Sequence, residues 1–589
     1  SFVASWGPTD ERYQCLSNYS ISYSESLGGK LGVAFNYGHR ATTSLMDTTT
    51  RAYQALPEGD KGPAYTYNFG FSDVRNRRTR WGGGLKLDYQ ASKNTRFFLN
   101  ATLGRHLESA NNNNAVFSTA QTVAAVNAAG AFTGTGAIIP GYTGEATEWR
   151  PVVNSQATAN SATSLKRGKT LHLKAGAVHR FETMELDYDL YQSDSRTVYA
   201  GSTNMTFVIQ GIGIRIENSD EPYFPNIVQT SGPNISDIAN YTQPNDSFYI
   251  YNATGDDKYR GASLNLRKNF NAIVPAYLKA GFRLRGQTRE LGTTPYRAVY
   301  VGPDRVRGLN PATGINDDNL AQFAHPGNKY EVHDGRYPRL PYPSYPGRDR
   351  PGSAPDYAGF NISTAYAKNP EYFLENIASN TLLPLRGNKA FEETISAGYV
   401  QGNVALGKLA ITGGFRVENT AIDAEGAAVG ITAEERTRRA AWVGVVTDDE
   451  LRRRTTAENS GRVRRSGEYR KAFPGLHLKF EPVSALIARL SYAANIGRPA
   501  IGQLIPQSTI NYDNMTISSS NPNLKPQYAD NFDFSVEYYF EPVGVVSAGV
   551  FLKEIKQFIF TAGGNIIGPG SDNGFDGLYE GYVLTTQYN

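Results

Sequence analysis

The chain has 589 residues, 40% of them hydrophobic, and a formal net charge of +4. This charge is too small to indicate nucleic-acid binding, and the single cysteine, Cys15, excludes an internal disulfide and a zinc site built from cysteines. No apolar run is long enough for a membrane-spanning helix. A membrane-spanning strand needs only about ten residues with alternate side chains facing lipid, so low hydropathy does not exclude a membrane. The length therefore allows three or four soluble domains or one large barrel.

Hairpins of alternating segments recur along the chain. In one of them, Leu85, Leu87 and Tyr89 alternate with polar residues, and after a turn the apolar positions resume at Phe97 and Leu99. A period of two predicts strands with one apolar and one polar face. Seven short turns of this kind lie at Leu27–Leu31, Ala91–Thr95, Phe181–Met184, Phe270–Ala276, Leu406–Lys408, Glu481–Ser484 and Glu541–Gly544. They predict about fourteen strands, and we expect Tyr579–Tyr588 to start another.

Long connections rich in Gly, Pro, Asn and Ser join these hairpins, and compact soluble domains avoid such connections. They are predicted at about 46–75, 106–163, 200–255, 289–391, 420–467, 497–526 and 561–578. Short turns at one end and long loops at the other are typical of outer-membrane barrels. A β-sandwich or a propeller would alternate in the same way, but with its apolar face inward.

The most regular alternation runs from Phe532 to Phe540. Before it stands the segment Asn521-Pro522-Asn523-Leu524-Lys525-Pro526, whose two prolines lack the amide hydrogen that a strand ladder needs. After it, Glu541–Gly544 reverses the chain into a second alternating run. The unit is a long loop, a strand, a tight turn and another strand.

This unit resembles the late-barrel signature of TonB-dependent outer-membrane receptors. The run Gly413–Thr420 is also similar to that family's pattern. The positions that match the family motifs are Arg498, Pro499, Asn521, Pro522, Leu524 and Pro526. The subgroup that the chain resembles is that of the large receptors of carbohydrate-scavenging proteobacteria, and the resemblance covers most of the chain.

The resemblance implies an all-β, transmembrane antiparallel β-barrel, with 22 strands in the complete family fold and about fifteen in this chain. It also implies a plug domain inside the lumen and a TonB energy-transducing complex that pulls on the plug. The chain begins at Ser1 without a signal peptide. We therefore expect residues 1–589 to be a partial barrel without its plug, its first strand and several C-terminal strands. The expected partners are the TonB complex, outer-membrane lipid and lipopolysaccharide, and a small-molecule or oligosaccharide ligand, but no nucleic acid.

No group of residues predicts catalysis, a metal site or a cofactor. Asp187 and Asp189 share one face of a strand, where charges that face water or a plug are favoured over metal or paired-acid chemistry. The oxygen-rich segment Asp572–Gly577 departs from the spacing of a calcium loop, so a turn is predicted. The arginine-rich run Arg436–Arg465 has almost no aromatic residues. A solvated loop is favoured there, and contact with lipopolysaccharide phosphates is the functional alternative.

The loop 289–391 is the predicted ligand-binding segment, because tyrosine rings stack on sugar or aromatic ligands while arginines donate directional hydrogen bonds. Other tyrosines of this loop are Tyr357, Tyr366 and Tyr372. The alternative is a self-packed loop that makes no ligand contact. The predicted contacts are Tyr296, Tyr300, Tyr330, Tyr337, Tyr342 and Tyr345.

The predicted function is a receptor that imports a scarce nutrient across the outer membrane and is not an enzyme. Haem receptors of the family use a histidine shortly before the motif, and the segment Arg498–Ser520 contains none. Siderophore, vitamin and oligosaccharide ligands remain. The alternatives are a passive porin or surface adhesion barrel and, third, a soluble all-β carbohydrate-binding or hydrolytic protein.

Overall fold

The computed structural model describes residues 2–8, 15–217, 225–235, 237–244, 247–271, 273–318, 329–330, 337–338, 366–511, 514–571, 574–575 and 577–589. Strands dominate these ranges, and none of the helices in them is long and apolar enough to cross a membrane. The α-helices all lie in connections between strands. They are α1 (Ile377–Gly387), α2 (Ala433–Ala440), α3 (Asp448–Asn459) and α4 (Ile501–Leu504).

One large antiparallel sheet contains the long strands, and each long strand pairs with the next along the chain. Two short loop strands, Tyr296–Tyr300 and Phe373–Glu375, extend this sheet at one end. The long strands are β1 (Phe2–Pro8), β2 (Cys15–Leu27), β3 (Leu31–Tyr53), β4 (Thr66–Ser92), β5 (Thr95–Ser118), β6 (Gln156–Arg180), β7 (Met184–Gln210), β8 (Phe248–Asn271), β9 (Pro275–Thr293), β10 (Lys389–Leu406), β11 (Leu409–Ala428), β12 (Gly461–Val483), β13 (Leu486–Gly497), β14 (Gln527–Phe540) and β15 (Gly544–Lys556).

The seven predicted short turns are confirmed, because each of them joins two neighbouring strands of this sheet. The tightest joins β10 to β11, where Leu406 lies opposite Leu409. Gly407 has a φ of 61° in this turn, a conformation that glycine adopts without steric cost. All seven turns lie at one end of the sheet, and the long connections lie at the other.

The two faces of the sheet have opposite character. Phe282, Leu490 and Phe534 are 49%, 50% and 45% exposed, and Phe534 lies opposite Leu490 across the β13–β14 ladder. The opposite face carries ion pairs, such as that between Arg489 and Glu537. We call these the apolar face and the charged face. A sandwich or a propeller would bury its apolar face, so the exposure of this face excludes both alternatives.

The strands extend farther into the predicted connections than the sequence pattern indicated. The connection predicted at 106–163 shrinks to 119–155, since β5 runs to Ser118 and β6 begins at Gln156. The same holds at 46–75, where β3 ends at Tyr53 and β4 begins at Thr66. In β5 every residue of the segment Asn111–Asn114 is polar, so the hydropathy alternation disappears there while the backbone pairing continues.

The expected strand within Tyr579–Tyr588 exists, but it does not belong to the large sheet. Val583–Tyr588 pairs with Phe560–Ile566 and, in parallel, with Thr516–Ser519. Ser508–Asn511 completes this separate four-stranded sheet. The prediction of a further barrel strand was therefore wrong, because the edge of Val583–Tyr588 is satisfied by loop strands.

The loop ends of β4, β5, β6, β7 and β8, together with the connections beside them, pack into an apolar cluster, which we call the loop core. Trp149 is completely buried in it, and its indole Nε1 donates a 2.8 Å hydrogen bond to the carbonyl oxygen of Thr66. A small sheet of Ala146–Trp149, Gly213–Glu217 and Asn226–Ser231 lies within it. The largest buried side chains of the loop core are Phe69, Phe117, Ile138, Trp149, Met205, Phe207, Ile209, Ile212, Ile214, Ile216, Phe248 and Tyr300.

Candidate functional site

Arg498 lies at the centre of an ion-pair network on the charged face. Its Nη2 donates a 2.7 Å hydrogen bond to Glu418 Oε2, and its Nε lies 3.7 Å from Glu393 Oε1. Each glutamate also binds a second arginine, since Arg285 Nη2 lies 2.7 Å from Glu393 Oε2 and Arg416 Nε lies 2.8 Å from Glu418 Oε1. Strands β9, β10 and β11 and the segment after β13 thus converge on what we call the arginine network.

The arginine network is partly buried. Glu393 is only 7% exposed, and the neighbouring Thr420 is completely buried. A buried carboxylate is tolerated only with a charged partner and satisfied hydrogen bonds, and both glutamates have them. Three arginines and two glutamates leave one net positive charge on this part of the charged face.

The predicted motif residues hold the loop after Arg498 against the charged face. Leu524 is 7% exposed and packs in a cluster with Phe391, Ala424 and Leu504. Asn521 Nδ2 donates a 2.9 Å hydrogen bond to the carbonyl oxygen of Gln587. Leucine and asparagine therefore attach the loop to two different parts of the fold, while Pro522 and Pro526 flank Leu524.

A cavity of about 680 Å³ lies between the motif and the strands. Tyr469, Lys471 and Tyr528 line it, and Lys471 Nζ lies 4.3 Å from the centre of the Tyr528 ring. The motif side of the cavity is formed by residues 522–526. Rings and ammonium groups in one concave site can bind a polar ligand by stacking and by charge.

The predicted tyrosine contacts lie in different environments. Tyr300 is 1% exposed and packs edge-on against Phe373 at 5.3 Å, so in this conformation its ring contacts the loop core and is closed to a ligand. Tyr296 is half-buried, with Tyr366 at 5.9 Å, and burial raises the pKa of its hydroxyl. The backbones of Tyr330 and Tyr337 pair with each other. Tyr342, Tyr345 and Tyr357 lie outside the described residues.

The arginine-rich run Arg436–Arg465 lies in a largely exposed connection that contains two short helices, α2 and α3, and ends in the first residues of β12. The buried Glu435 and Glu450 each lie in the first turn of a helix, three residues after the N-cap residues Thr432 and Thr447. Four arginines bind these two carboxylates: Arg438, Arg439, Arg453 and Arg454. Most of the positive charge in α2 and α3 is therefore paired internally.

Asp187 and Asp189 are held by neighbouring strands. Asn265 Nδ2 donates a 2.7 Å hydrogen bond to Asp187 Oδ1, and Ser263 Oγ donates one of 2.6 Å to Asp189 Oδ2. Lys174 Nζ lies 3.3 Å from Asp189. Among the described residues, no group of three or more His, Cys, Asp or Glu side chains is placed to hold a metal ion. Part of the segment Asp572–Gly577 lies outside the described residues.

Sequence analysis singled out Arg498 and the run Gly413–Thr420, which contains Arg416 and Glu418, but did not bring them together with Glu393. These residues are distant in sequence, and only the register of β9, β10 and β11 makes them neighbours. The helices α2 and α3 were also missed. Their signal is the pattern Thr-x-x-Glu, which occurs at both helix starts and is typical of an N-terminal capping box.

Comparisons with known proteins identify the family. Residues 213–589 match the family model described as "TonB dependent receptor-like, beta-barrel", and no curated protein matches. Among solved structures, the closed form of the ferric-catecholate import receptor Fiu from E. coli K12 is similar, with 12% identity and a TM-score of 0.42. The alignment covers 96% of this chain and 58% of that receptor.

Two further receptors are similar over comparable lengths. A mutant of the ferric enterobactin receptor PfeA from Pseudomonas aeruginosa has 10% identity and a TM-score of 0.40, over 100% of this chain and 57% of its own. The hemophore receptor HasR of Serratia marcescens, in complex with its hemophore and heme, has 9% identity and a TM-score of 0.31, over 96% of this chain and 60% of its own. The chain thus spans less than two thirds of the solved receptors that it matches. The family match covers more than half of the chain, which therefore belongs to the TonB-dependent receptor family and has that family's transmembrane antiparallel β-barrel fold.

Proposed function

We propose that this chain is the barrel of an active-transport receptor in the bacterial outer membrane. It binds a scarce nutrient at the loop end, which faces the cell exterior, and imports it into the periplasm with energy from the TonB complex. The proposed nutrient is an oligosaccharide, as in the carbohydrate-scavenging subgroup, or a siderophore or similar compound. The protein makes no covalent change to this ligand.

One observation supports this function above the others: the same strands combine an exposed apolar face with a charged, partly buried face. In a barrel, the apolar face meets lipid and the charged face lines the interior. Outer-membrane lipid and lipopolysaccharide are therefore proposed partners. The arginine network offers charged groups to a plug or to a passing polar ligand.

We assign the ligand contacts to the loop end, with Tyr330, Tyr337, Tyr342 and Tyr345 as the proposed ring contacts. Their support is the composition of the loop, in which amphipathic rings and arginines alternate with prolines. Tyr296 remains a proposed contact at the border of the loop core. Tyr300 supports the loop core from inside.

The test is uptake by cells that carry the complete receptor. Candidate oligosaccharides and ferric siderophores are supplied singly, and labelled ligand is measured in strains with and without TonB. We expect one ligand class to be imported only when both the receptor and TonB are present. Import that is unchanged without TonB would instead identify a passive porin.

The tyrosine assignment is tested separately, by binding. Replacing Tyr330, Tyr337, Tyr342 and Tyr345 together with alanine should weaken the binding of the imported ligand, since each stacked ring contributes about 0.5–1.5 kcal/mol beyond area burial. The matched control is Tyr300→Phe, which keeps the buried ring. Unchanged ligand affinity in the fourfold variant would move the site away from this loop.

A further inference from the structure

A row of aromatic and basic side chains crosses five neighbouring strands. His39, Trp81, Arg105, Lys169 and Arg196 stand directly opposite one another in register from β3 to β7. Side chains that are directly opposite on paired strands project to the same face of a sheet. The row is therefore a continuous band on one face.

That face is the apolar one. Trp81 is four residues from Leu85, and Arg105 is six residues from Leu99. Side chains separated by an even number of residues along a strand share a face. Leu85 and Leu99 are both exposed. Arg167, two residues before Lys169, adds another exposed cation on this face. The basic side chains thus project outward from the barrel, on the side that meets lipid.

The height of the row matches the edge of a membrane. Phe97 is exposed near the turn end of β5, and Arg105 is eight residues farther along the same strand. Eight residues span about 26 Å along a strand, or about 20 Å along the membrane normal at the usual tilt. The apolar band of such barrels is about 25 Å tall. Phe97 and Trp81 then mark its two edges, where aromatic residues are enriched.

Arg105, Arg167 and Lys169 form none of the ion pairs found among the described side chains, whereas Lys174 and Arg180 of β6 are paired with Asp189 and Glu185. The guanidinium of Arg105 lies 4.7 Å from the centre of the Trp81 ring. Two nearby carboxylates on this face belong to β7 and β8, where Asp194 stands opposite Lys258 and Asp256 stands opposite Arg196. These two carboxylates therefore do not neutralise the positive charges of Arg105, Arg167 and Lys169.

Strands β11 and β12 show that exposed arginines on the apolar face can be paired. On the same face of β11 and β12, Arg462 binds Glu425 at 2.9 Å and Arg464 binds Asp423 at 2.5 Å. Those pairs need no external anion. The β5–β6 side presents three exposed cations beside an indole ring and supplies no anion of its own.

We propose that Arg105, Arg167 and Lys169 bind the phosphorylated headgroup of a lipid in the outer leaflet, with Trp81 at the level of the lipid–water boundary. Guanidinium groups bind phosphate in a forked geometry, and lysine adds a point charge. The phosphate fits because the cations lie at the height of lipid headgroups and above apolar side chains that meet acyl chains. The inference rests on the proposed outer-membrane placement of the barrel.

The experiment measures binding of fluorescent bisphosphorylated lipid A to the full chain in detergent micelles. We expect the variant R105Q/R167Q/K169Q to bind about a hundredfold more weakly than the original chain, as expected for removing three charges from an anionic lipid surface. The matched control is R462Q/R464Q, which removes paired cations from the same face and should bind as the original does. Dephosphorylated lipid A should bind the original chain weakly. Its affinity should equal that of phosphorylated lipid A for the triple variant.

Three outcomes would overturn the proposal: equal binding by the triple variant and the original chain, equal binding of dephosphorylated lipid A, or displacement of lipid A by millimolar inorganic phosphate. The last outcome would mean that free phosphate is the ligand. Heat-resistant migration on gels reports separately whether each variant is folded. A chain that does not insert into bilayers would contradict the barrel placement, whereas inserted protein with phosphate-independent binding would contradict only this site.

Discussion

The outer and inner faces of strands β9, β10 and β11 have the same backbone but opposite chemistry. Phe282 and Phe415 point outward and are almost half exposed, whereas Glu393 points inward and is 7% exposed. In a soluble protein the exposures would be reversed. The comparison teaches that the apolar side chains of these strands contact lipid instead of a buried protein core. The closely packed polar contacts lie on the inner face.

The largest effect is expected from a charged side chain placed on the outer face. Val536→Arg should lower the free energy of unfolding by about 2–4 kcal/mol if the side chain lies near the membrane midplane. Ser535→Arg, one residue away on the inner face, is the control and should cost much less. Unfolding in urea from lipid bilayers measures both, and equal effects would refute the assignment of the faces.

The inner face is tested by removing the centre of the arginine network. Arg498→Ala leaves Glu418 and Glu393 without one of their partners, and we expect a loss of about 2–3 kcal/mol, less than for a completely buried pair because the network is partly hydrated. A double-mutant cycle with Glu418→Ala isolates the pair. Purely additive effects of the two substitutions would show that the pair contributes no coupling energy.

A third prediction concerns pH and the loop helices. Hydrogen bonds from Arg439 and then Arg438 lower the pKa of Glu435 despite its burial. Burial raises the pKa of Glu450, but hydrogen bonds from Arg454 and Arg438 outweigh it and leave that pKa below its ordinary value. Because the pKa of each carboxyl is lower in the folded state, the ionised carboxylates stabilise the fold at pH values above their ordinary pKa of 4.5. This stabilisation is lost as the pH falls through the folded-state pKa.

Amide exchange of residues 433–459, corrected for its intrinsic pH dependence, should therefore stay constant from neutral pH to about pH 5 and lose protection below about pH 4. Glu435→Gln should lose protection already at neutral pH, because an amide cannot neutralise the arginines. The exposed Glu434→Gln is the control. Protection that persists unchanged at pH 3 would count against the ion pairs as the stabilising element.

The smallest effects are expected from single cysteines that map the two faces by chemical labelling. Single cysteines in a Cys15→Ser background at Phe282, Phe415 and Val536 should react with lipid-phase probes, and cysteines at Arg283, Arg416 and Glu537 should not. The register of β9, β11 and β14 predicts this pattern. The reverse labelling would place the charged face outside.

The hairpins were predictable from the sequence because lipid on one side and short turns at one end produce local signals. The lengths of the strands were not, since alternation is lost where β5 passes its asparagines and both faces become polar. The arginine network was also beyond prediction, because Arg285, Glu393 and Arg498 meet only through tertiary register. The helix α2 could have been found from Thr432 and Glu435, a local pattern that a basic run obscured.

The small four-stranded sheet at the loop end has a kinetic consequence. Its parallel pairing joins Thr516–Ser518 to Val583–Thr585, so the whole β14–β15 hairpin lies between the two partners. Closing such a long loop costs entropy before any contact compensates for it, and non-local pairings of this kind form slowly. Once the β14–β15 hairpin has formed, the segment that remains to be closed into a loop is shorter. The Asn521 side chain, which bonds to Gln587, should therefore be among the last to acquire its native partner during assembly of the barrel.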